Sequence, residues 1–214
     1  MIDYLNQIDT QLFLYLNGMH NSFFDFVMFW LSNKYIWVPL YLFIIYLVVK
    51  HYKVNGILLV LFAVLVVVLT DQVSSHLIKN IVQRLRPSHE PSITEIIHLS
   101  KDGKGGLYGF VSSHAANVFG VVTFLTFTLS SKFRILKYSL LIWAFFVSYS
   151  RIYNGVHYPG DVIGGIILGV LLGWIVAKLF IKLGKHYEKF KLYNPNSNNS
   201  KSRNLNSKYS KKYK

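Results

Sequence analysis

The stretch Ile57–Leu69 reads ILLVLFAVLVVVL, an apolar run without a polar interruption. A second block, Ile163–Phe180, is interrupted only by glycines until Lys178. With their apolar flanks, both blocks approach the roughly 20 residues that a helix needs to cross a bilayer. The buried helices of a soluble protein would need several amphipathic helices to cover them, and the sequence has no such set. We therefore predict an integral membrane protein.

The remaining sequence predicts an all-α integral membrane protein, a bundle of five to six transmembrane helices with N-terminal interfacial helices. The segment 1–33 contains two short amphipathic stretches, which suit the membrane interface better than a span. The transmembrane domain is predicted over 34–185. Pro87 is expected to end the second span, because the residue before a proline is disfavoured in a helix. The five predicted spans are Tyr35–Val49, Val54–Arg86, Ser113–Leu129, Tyr138–Ser150 and Pro159–Ile181.

Four glycines in the last span follow a small-residue spacing: Gly164, Gly165, Gly169 and Gly173. Such spacing lets two helix backbones approach closely in a membrane. We interpret it as close packing within the bundle, with a dimer motif as the alternative. The oligomeric state is left open by the sequence.

The net charge of +14 is concentrated at the C-terminus. Nine of the 23 lysines and arginines lie between Lys185 and Lys214. We predict that 186–214 is a basic, disordered cytoplasmic tail. Beside a membrane helix, this charge favours orientation and contact with anionic lipid, so the predicted partner is the lipid bilayer and not nucleic acid. Cysteine is absent, which excludes thiolate metal sites and thiol nucleophiles.

Alternation of the spans places two polar segments, 79–111 and 151–158, on the same face of the membrane. The short basic loops at 50–53 and 132–137 fall on the opposite face together with the tail. Because basic loops are retained in the cytoplasm, the two polar segments are predicted to be extracytoplasmic.

The first polar segment contains Lys79 and Arg86, seven residues apart on the predicted helix and therefore on one side of it. Two cations at one membrane surface can bind a phosphate dianion, with bidentate contacts from the arginine. Contact with lipid headgroups is the alternative. Arg84 points elsewhere on such a helix, and we interpret it as a headgroup contact.

Ser112, Ser113 and His114 stand directly before an apolar helix. Serine is a preferred N-cap residue, and the first amides of a helix attract anions. A hydroxyl, free amides and an imidazole would therefore converge on one point. The alternative is a simple N-cap beside an interfacial histidine.

The second polar segment contains Arg151 and His157, followed by Asp161. Pro159 suits the first position of a helix, which puts Asp161 in its first turn and one turn beyond His157. A carboxylate there can fix the imidazole tautomer and leave the other nitrogen free to attack phosphorus. The alternative is a helix-dipole carboxylate beside an unrelated histidine.

The combined set, Lys79-x6-Arg86-Pro87, Ser112-Ser113-His114 and Ser150-Arg151-x5-His157-x3-Asp161, resembles the tripartite signature of the type 2 phosphatidic acid phosphatase family. That family includes bacterial undecaprenyl pyrophosphate and lipid A phosphatases, and soluble vanadium haloperoxidases share its pocket. Val111 and Ser113 stand where the signature usually has proline and glycine. Since the glycine position acts through its backbone amide, we expect Ser113 to be tolerated.

The resemblance implies that His157 attacks phosphorus and that Asp161 orients it. His114 would protonate the leaving oxygen and then activate water. The phosphate oxygens would be held by Lys79, Arg86, Ser112, the Ser113 amide and Arg151. We expect no metal and no cofactor, because fixed cations and helix amides can neutralise a transferring phosphoryl group and the nine acidic residues form no two-metal cluster.

We therefore predict a metal-independent phosphatase of the bacterial inner membrane, with a membrane lipid phosphate or pyrophosphate as its substrate. Undecaprenyl pyrophosphate is the first choice, and phosphatidylglycerol phosphate, phosphatidate and lipid A 1-phosphate are alternatives, because the motifs recognise phosphate alone. Two other functions are compatible with the same residues. One is a phosphotransferase that passes the phosphoryl group from histidine to an acceptor, and the other is a non-enzymatic anion transporter.

Overall fold

The computed structural model of the protein describes residues 2–101 and 103–186. This part of the chain is helical and contains no β-strand. The predicted tail, 186–214, lies outside the described residues except for His186. The α-helices are α1 (Ile2–Gly18), α2 (Ser22–Ser32), α3 (Val38–Tyr52), α4 (Val54–Asp71), α5 (Lys79–Val82), α6 (Ser113–Thr128), α7 (Arg134–Tyr153) and α8 (Pro159–His186).

Four helical stretches of the described chain are long and apolar enough to cross a membrane: Lys34–Tyr52, Val54–Val82, Ser131–Tyr153 and Pro159–Gly184. The remaining predicted span, α6, has 16 residues and is about 24 Å long, shorter than a hydrocarbon core of about 30 Å. It nevertheless joins the two ends of the bundle. The Ser112 N–H at its start donates to the Asp161 carbonyl (2.8 Å), and the Ser130 N–H beyond its end donates to the Tyr52 hydroxyl (2.8 Å). The all-α membrane bundle is thus confirmed.

The outer faces of these helices are apolar. Leu61 on α4, Phe145 on α7 and Ile167 on α8 are each more than half exposed. A continuous apolar surface of this extent is unfavourable in water and suits contact with lipid chains. The exposed faces therefore agree with a bundle that sits in a bilayer.

α6 is the central helix, and its backbone touches that of α8. Three glycines of α8 lie against backbone carbonyl oxygens of the α6 segment. A Cβ atom added to Gly165 would lie 2.4 Å from the Ser112 oxygen, and one added to Gly169 would lie 2.4 Å from the Ala116 oxygen. A Cβ atom added to Gly173 would lie 2.3 Å from the Gly120 oxygen. The glycine spacing therefore serves packing within the chain. Because α6 and α8 each begin at the same end of the bundle, this contact brings their first turns side by side.

The helix of the second span ends earlier than predicted. α4 continues through a π-helical segment, Gln72–Ile78, into the short helix α5, which stops at Val82. Gln83 adopts a left-handed conformation (φ 50°), and the chain then runs extended beside the later part of the loop. The prediction of a helix to Arg86 is wrong, because backbone groups after Val82 form hydrogen bonds with the loop before α6 and not with the next turn of a helix. The Gly109 N–H, for example, donates to the Arg84 carbonyl (2.8 Å).

The N-terminal helices fold onto the bundle. Phe13 of α1 is fully buried in an apolar cluster with Ile152 and Tyr158. α2 packs on α7, where the Asn154 side chain donates to the Met28 carbonyl (3.2 Å). The predicted interfacial segment therefore contacts the end of the bundle at which α6 and α8 begin.

We expect Gly169→Ala to destabilise the protein, because the new methyl group would overlap the Ala116 carbonyl oxygen. Overpacking of this kind costs about 1–3 kcal/mol of unfolding free energy. Thermal unfolding of the purified protein in detergent measures the loss. Gly18→Ala is the matched control, since a Cβ at Gly18 meets no atom within 4 Å. An unchanged melting temperature in Gly169→Ala would contradict the close α6–α8 contact.

Candidate active site

Three chain segments that are distant in sequence meet at the end of the bundle where α6 and α8 begin. They are the segment after α5, the end of the loop before α6, and the connection between α7 and α8. Leu85 forms a bridge with Tyr108, and the Ser112 N–H donates to the Asp161 carbonyl. These contacts join all three segments, so the residues of the three predicted clusters share one region.

His157 and Asp161 form a buried pair at the start of α8. The Nδ1 atom of His157 is 3.3 Å from Oδ2 of Asp161, and the same oxygen accepts the Tyr158 N–H (3.1 Å). α8 begins at Pro159, as predicted, so Asp161 lies in its first turn and its carboxylate reaches back to His157, two residues before the helix. Both residues are at most 1% exposed, which leaves the imidazole few alternative orientations.

Ser112 caps α6, as its sequence position predicted, and its hydroxyl accepts the Ala115 N–H (3.5 Å). Ser113 is the first residue of the helix, and His114 follows it. The Ser113 hydroxyl accepts a hydrogen bond from Nζ of Lys79 (2.8 Å) and lies 2.9 Å from the Ser75 hydroxyl. The side chain that replaces the usual glycine is therefore accommodated, and it contacts one of the predicted phosphate-binding cations.

Arg86 and Arg151 are both buried. Nε of Arg86 donates to the Tyr108 carbonyl (3.1 Å), and Nη1 of Arg151 donates to the Ser32 hydroxyl. Arg86 is thus oriented by the loop before α6, whereas Arg151 is contacted by the end of α2. Burial lowers the pKa of the Arg86 guanidinium, and the charge of Asp161 raises it.

The electrostatic environment of His157 reflects this convergence of cations. Burial is the main cause that lowers its pKa well below 6.5, and the charges of Arg86, Arg151 and Lys79 lower it further. A hydrogen bond with the backbone of Gly109 acts in the opposite direction. The imidazole of His157 is therefore neutral at physiological pH and has a lone pair available.

A cavity of about 720 Å³ extends from this site between α3, α4, α6 and α7. Lys79, Arg86 and His114 line its polar end. The rest of its wall is mostly apolar and continues to Val48 and Leu59 near the opposite end of the bundle. The cavity therefore joins a cationic end to a long apolar groove.

Two further residues belong to this site but were not predicted to do so, Arg84 and Asp9. The Arg84 guanidinium binds Oδ1 of Asp161 (3.0 Å) and Oδ2 of Asp9 (2.8 Å), and it stacks on the Tyr158 ring at 4.1 Å. Asp9 also accepts the Gly160 N–H (2.7 Å).

The interpretation of Arg84 as a headgroup contact is wrong, because it assumed a helix that has ended by this point. Pro87 was a signal that could have corrected it, since it favours an extended chain before it. Asp9 lies on α1 and had no signal at all, because its partners are far away in sequence.

Comparison with a protein-family model and with related proteins agrees with the family resemblance of the three motifs. The model of the PAP2 superfamily matches residues 56–185. A lipid A 4'-phosphatase from Bacteroides thetaiotaomicron is 40% identical over 186 residues, which cover 86% of this chain and 81% of the relative. An undecaprenyl-diphosphatase from Sulfolobus acidocaldarius is 30% identical over 174 residues, covering 80% and 78%.

Among solved structures, a transmembrane PAP2 type phosphatidylglycerolphosphate phosphatase from Bacillus subtilis has the same fold. The two superpose with a TM-score of 0.59 at 22% identity, over 84% of this chain and 87% of that chain. The range matched by the family model, 56–185, contains every predicted site residue, from Lys79 to Asp161. Helices α1 and α2 precede this range.

We expect the buried neutral His157 to make stability depend on pH. The unfolded chain binds a proton at the ordinary histidine pKa, but the folded chain does not, so stability is complete above about pH 6.5 and falls as the pH drops below it. In thermal unfolding between about pH 7.5 and 5.5, His157→Gln should lose less stability than the wild type. His51→Gln, at an exposed histidine on the opposite face, should keep the wild-type slope. Equal slopes in His157→Gln and the wild type would contradict the neutral imidazole.

Proposed function

This chain belongs to the PAP2 superfamily and is a membrane phosphatase acting on lipid phosphates, and from that premise we propose that it works without a metal, through a phosphohistidine at His157. The observation that supports this most is the orientation of His157 by Asp161, with Nδ1 3.3 Å from the carboxylate, within reach of the charges of Lys79, Arg86 and Arg151. A neutral, oriented imidazole and a set of cations are what attack on a phosphate requires.

In the proposed ground state, Lys79, Arg86 and Arg151 bind the phosphate oxygens. The Ser112 hydroxyl and the backbone amide of Ser113 complete the binding site, because the first turn of α6 has unpaired N–H groups and a positive dipole end. Lys79 releases the Ser113 hydroxyl, which it contacts at 2.8 Å, when the phosphate enters. These groups neutralise charge that would otherwise oppose nucleophilic attack.

In the first chemical step, Nε2 of His157 attacks phosphorus. A P–N bond forms while the P–O bond to the lipid breaks. His114, which takes up a proton once the anionic phosphate is bound beside it, gives this proton to the leaving oxygen. The Nδ1 proton stays on the hydrogen bond to Asp161, whose carboxylate stabilises the positive charge that develops on the ring. The step yields the dephosphorylated lipid and a phosphohistidine.

In the second step, His114 removes a proton from water, and the resulting hydroxide oxygen attacks phosphorus. The P–N bond breaks, His157 recovers its lone pair, and inorganic phosphate leaves. The donor set favours this metal-free route, since the cationic side chains that line this end of the cavity would repel a divalent cation.

Arg84 and Asp9 are positioning residues in this scheme. Arg84 occupies one oxygen of Asp161, which leaves the other oxygen for His157 and the Tyr158 amide. Asp9 holds Arg84 from the opposite side and fixes the start of α8 through Gly160. The carboxylate therefore has one orientation relative to the imidazole.

The apolar groove supports a substrate with a lipid anchor, because a chain can stay among α3, α4, α6 and α7 while the phosphate reaches Lys79 and Arg86. We rank a lipid A 4'-phosphate first, since this chain is 40% identical to a lipid A 4'-phosphatase and only 30% identical to an undecaprenyl-diphosphatase. Undecaprenyl pyrophosphate, the first choice from sequence, becomes the second candidate.

We further propose that the enzyme lies in the bacterial inner membrane with its site on the extracytoplasmic face. The Tyr52–Ser130 hydrogen bond supports this orientation, because it brings the two short basic loops to one end of the bundle, opposite the site. Basic loops favour the cytoplasmic side, and so would the predicted tail.

His157→Ala should reduce the release of inorganic phosphate by about a thousandfold or more, because no other group replaces the nucleophile. The assay uses purified protein on a panel of bisphosphorylated lipid A, undecaprenyl pyrophosphate, phosphatidylglycerol phosphate and phosphatidate. We expect the highest kcat/KM on lipid A, with loss of its 4'-phosphate. Full turnover by His157→Ala would reject the nucleophile, and preference for another lipid would reject the substrate assignment alone.

The same assay distinguishes the other mechanisms. The wild type should keep its kcat in EDTA, and activity lost in EDTA but restored by magnesium would contradict the metal-free site. Phosphate should be released without any added acceptor, whereas a phosphotransferase would need one.

Arg84→Lys should lower kcat by about tenfold or more with little change in KM, because a lysine cannot bind Asp9 and Asp161 together. Steady-state kinetics on the preferred lipid gives the two constants. Arg134→Lys, at an exposed arginine on the opposite face, is the matched control and should behave like the wild type. An increase in KM alone would assign Arg84 to substrate binding and not to positioning.

A further inference from the structure

A second cluster of polar side chains lies outside the phosphate site. It consists of His20 in the connection between α1 and α2, Asp25 in the first turn of α2, and His98 in the loop between α5 and α6. Each residue offers one ligand atom, and these atoms all lie within 4.8 Å of one another. None of the three lines the cavity that reaches Lys79 and His114.

The contact between His98 and Asp25 has the distance but not the direction of a hydrogen bond. Nε2 of His98 is 3.0 Å from Oδ1 of Asp25, yet this buried nitrogen meets hydrogen-bond geometry with no described residue. Zinc binds histidine nitrogen and carboxylate oxygen at about 2.0–2.2 Å, so neighbouring donors of a tetrahedral site are roughly 3.3 Å apart. The observed spacing is close to that of two ligands that share an ion.

His20 supplies the third donor. Its ring stacks on that of His98, with centroids 4.0 Å apart and planes inclined by 8°. Two parallel rings cannot both direct a nitrogen lone pair at one ion, so His20 has to turn out of this stack, and its exposed side chain is free to do so. Lys101, the nearest basic residue along the loop, is also exposed and can keep its ammonium group in solvent.

The other two donor residues, Asp25 and His98, are held by neighbouring residues, as ligands in metal sites usually are. The Asn17 side chain donates to the His98 carbonyl (2.9 Å) and accepts the His98 N–H (2.8 Å). The Tyr153 hydroxyl donates to Oδ1 of Asp25 (2.7 Å) and accepts the Asn21 N–H (3.1 Å). The backbone of His98 and the carboxylate of Asp25 are therefore fixed before any ion binds.

We propose that His20, Asp25 and His98 form a structural zinc site, with water in the fourth position. Two imidazoles and one carboxylate suit zinc better than magnesium or calcium, which prefer oxygen ligands alone. The ion would link the α1–α2 connection to the loop before α6. Tyr153, at the end of α7, donates a hydrogen bond to Asp25. The ion would therefore stabilise the segment that continues from Tyr153 to His157, without taking part in phosphoryl transfer.

The test uses the purified full chain in detergent, stripped with EDTA and then titrated with zinc chloride. We expect about one tightly bound zinc per chain and a rise in melting temperature of about 5 °C or more at saturating zinc. The His20→Ala/His98→Ala variant should lose this zinc-dependent rise, whatever its own starting stability. His89→Ala, which removes another histidine of the same loop, is the matched control and should keep it.

Cobalt provides a second readout, because its visible absorption reports the ligand geometry directly. Cobalt-loaded wild type should show tetrahedral bands that are absent from the double variant. No zinc-dependent shift in the wild type, or an equal shift in the double variant, would overturn the site. His157→Ala should retain the zinc response, so failure of the zinc site and failure of the phosphatase mechanism give different results.

Discussion

The backbone contact between α6 and α8 is the constraint on which the rest of this structure depends. Glycines on α8 let the two helices touch, so that Ser112 donates its N–H directly to the Asp161 carbonyl. The first turns of both helices then point toward the same space. One provides free amides and His114, and the other provides the carboxylate that orients His157. A wider separation would divide the proposed phosphate-binding groups from the proposed nucleophile, since neither helix holds both.

Bringing cations together at a membrane surface has an electrostatic cost, and the structure shows how it is reduced. The charge of Arg84 is neutralised by two carboxylates, Asp9 and Asp161. Lys79 donates a hydrogen bond to the Ser113 hydroxyl. Burial is the main reason that His157 stays neutral, and the same positive field adds to it, because a protonated ring beside Arg86 and Arg151 would be repelled. In the proposed mechanism, the charge that binds an anionic substrate thus also helps to preserve the lone pair that attacks it.

The sequence predicted those parts of the fold and site that depend on local spacing. The apolar blocks predicted the long helices. The interval from His157 to Asp161 predicted the buried pair, because a carboxylate in the first turn of α8 lies close to the residues just before the helix. Arg86 was selected for a reason that the structure does not support. Gln83 leaves the helix, so Lys79 and Arg86 meet through the fold of the loop and not on one helical face. Arg84 was misassigned for the same reason, as its partner Asp161 is 77 residues away. A motif predicts the groups that touch phosphate, but it does not contain the residues that orient them.

The N-terminal helices illustrate this limit most clearly. They lie before the range that matches the PAP2 superfamily, 56–185, and they contain none of its motif residues. Yet Asp9 of α1 holds Arg84 and the start of α8, and Ser32 of α2 contacts Arg151. Selection among lipids whose phosphates are identical requires contacts beyond the phosphate, and we infer that the end of α2, where Leu31 and Ser32 line the cavity, contributes to them.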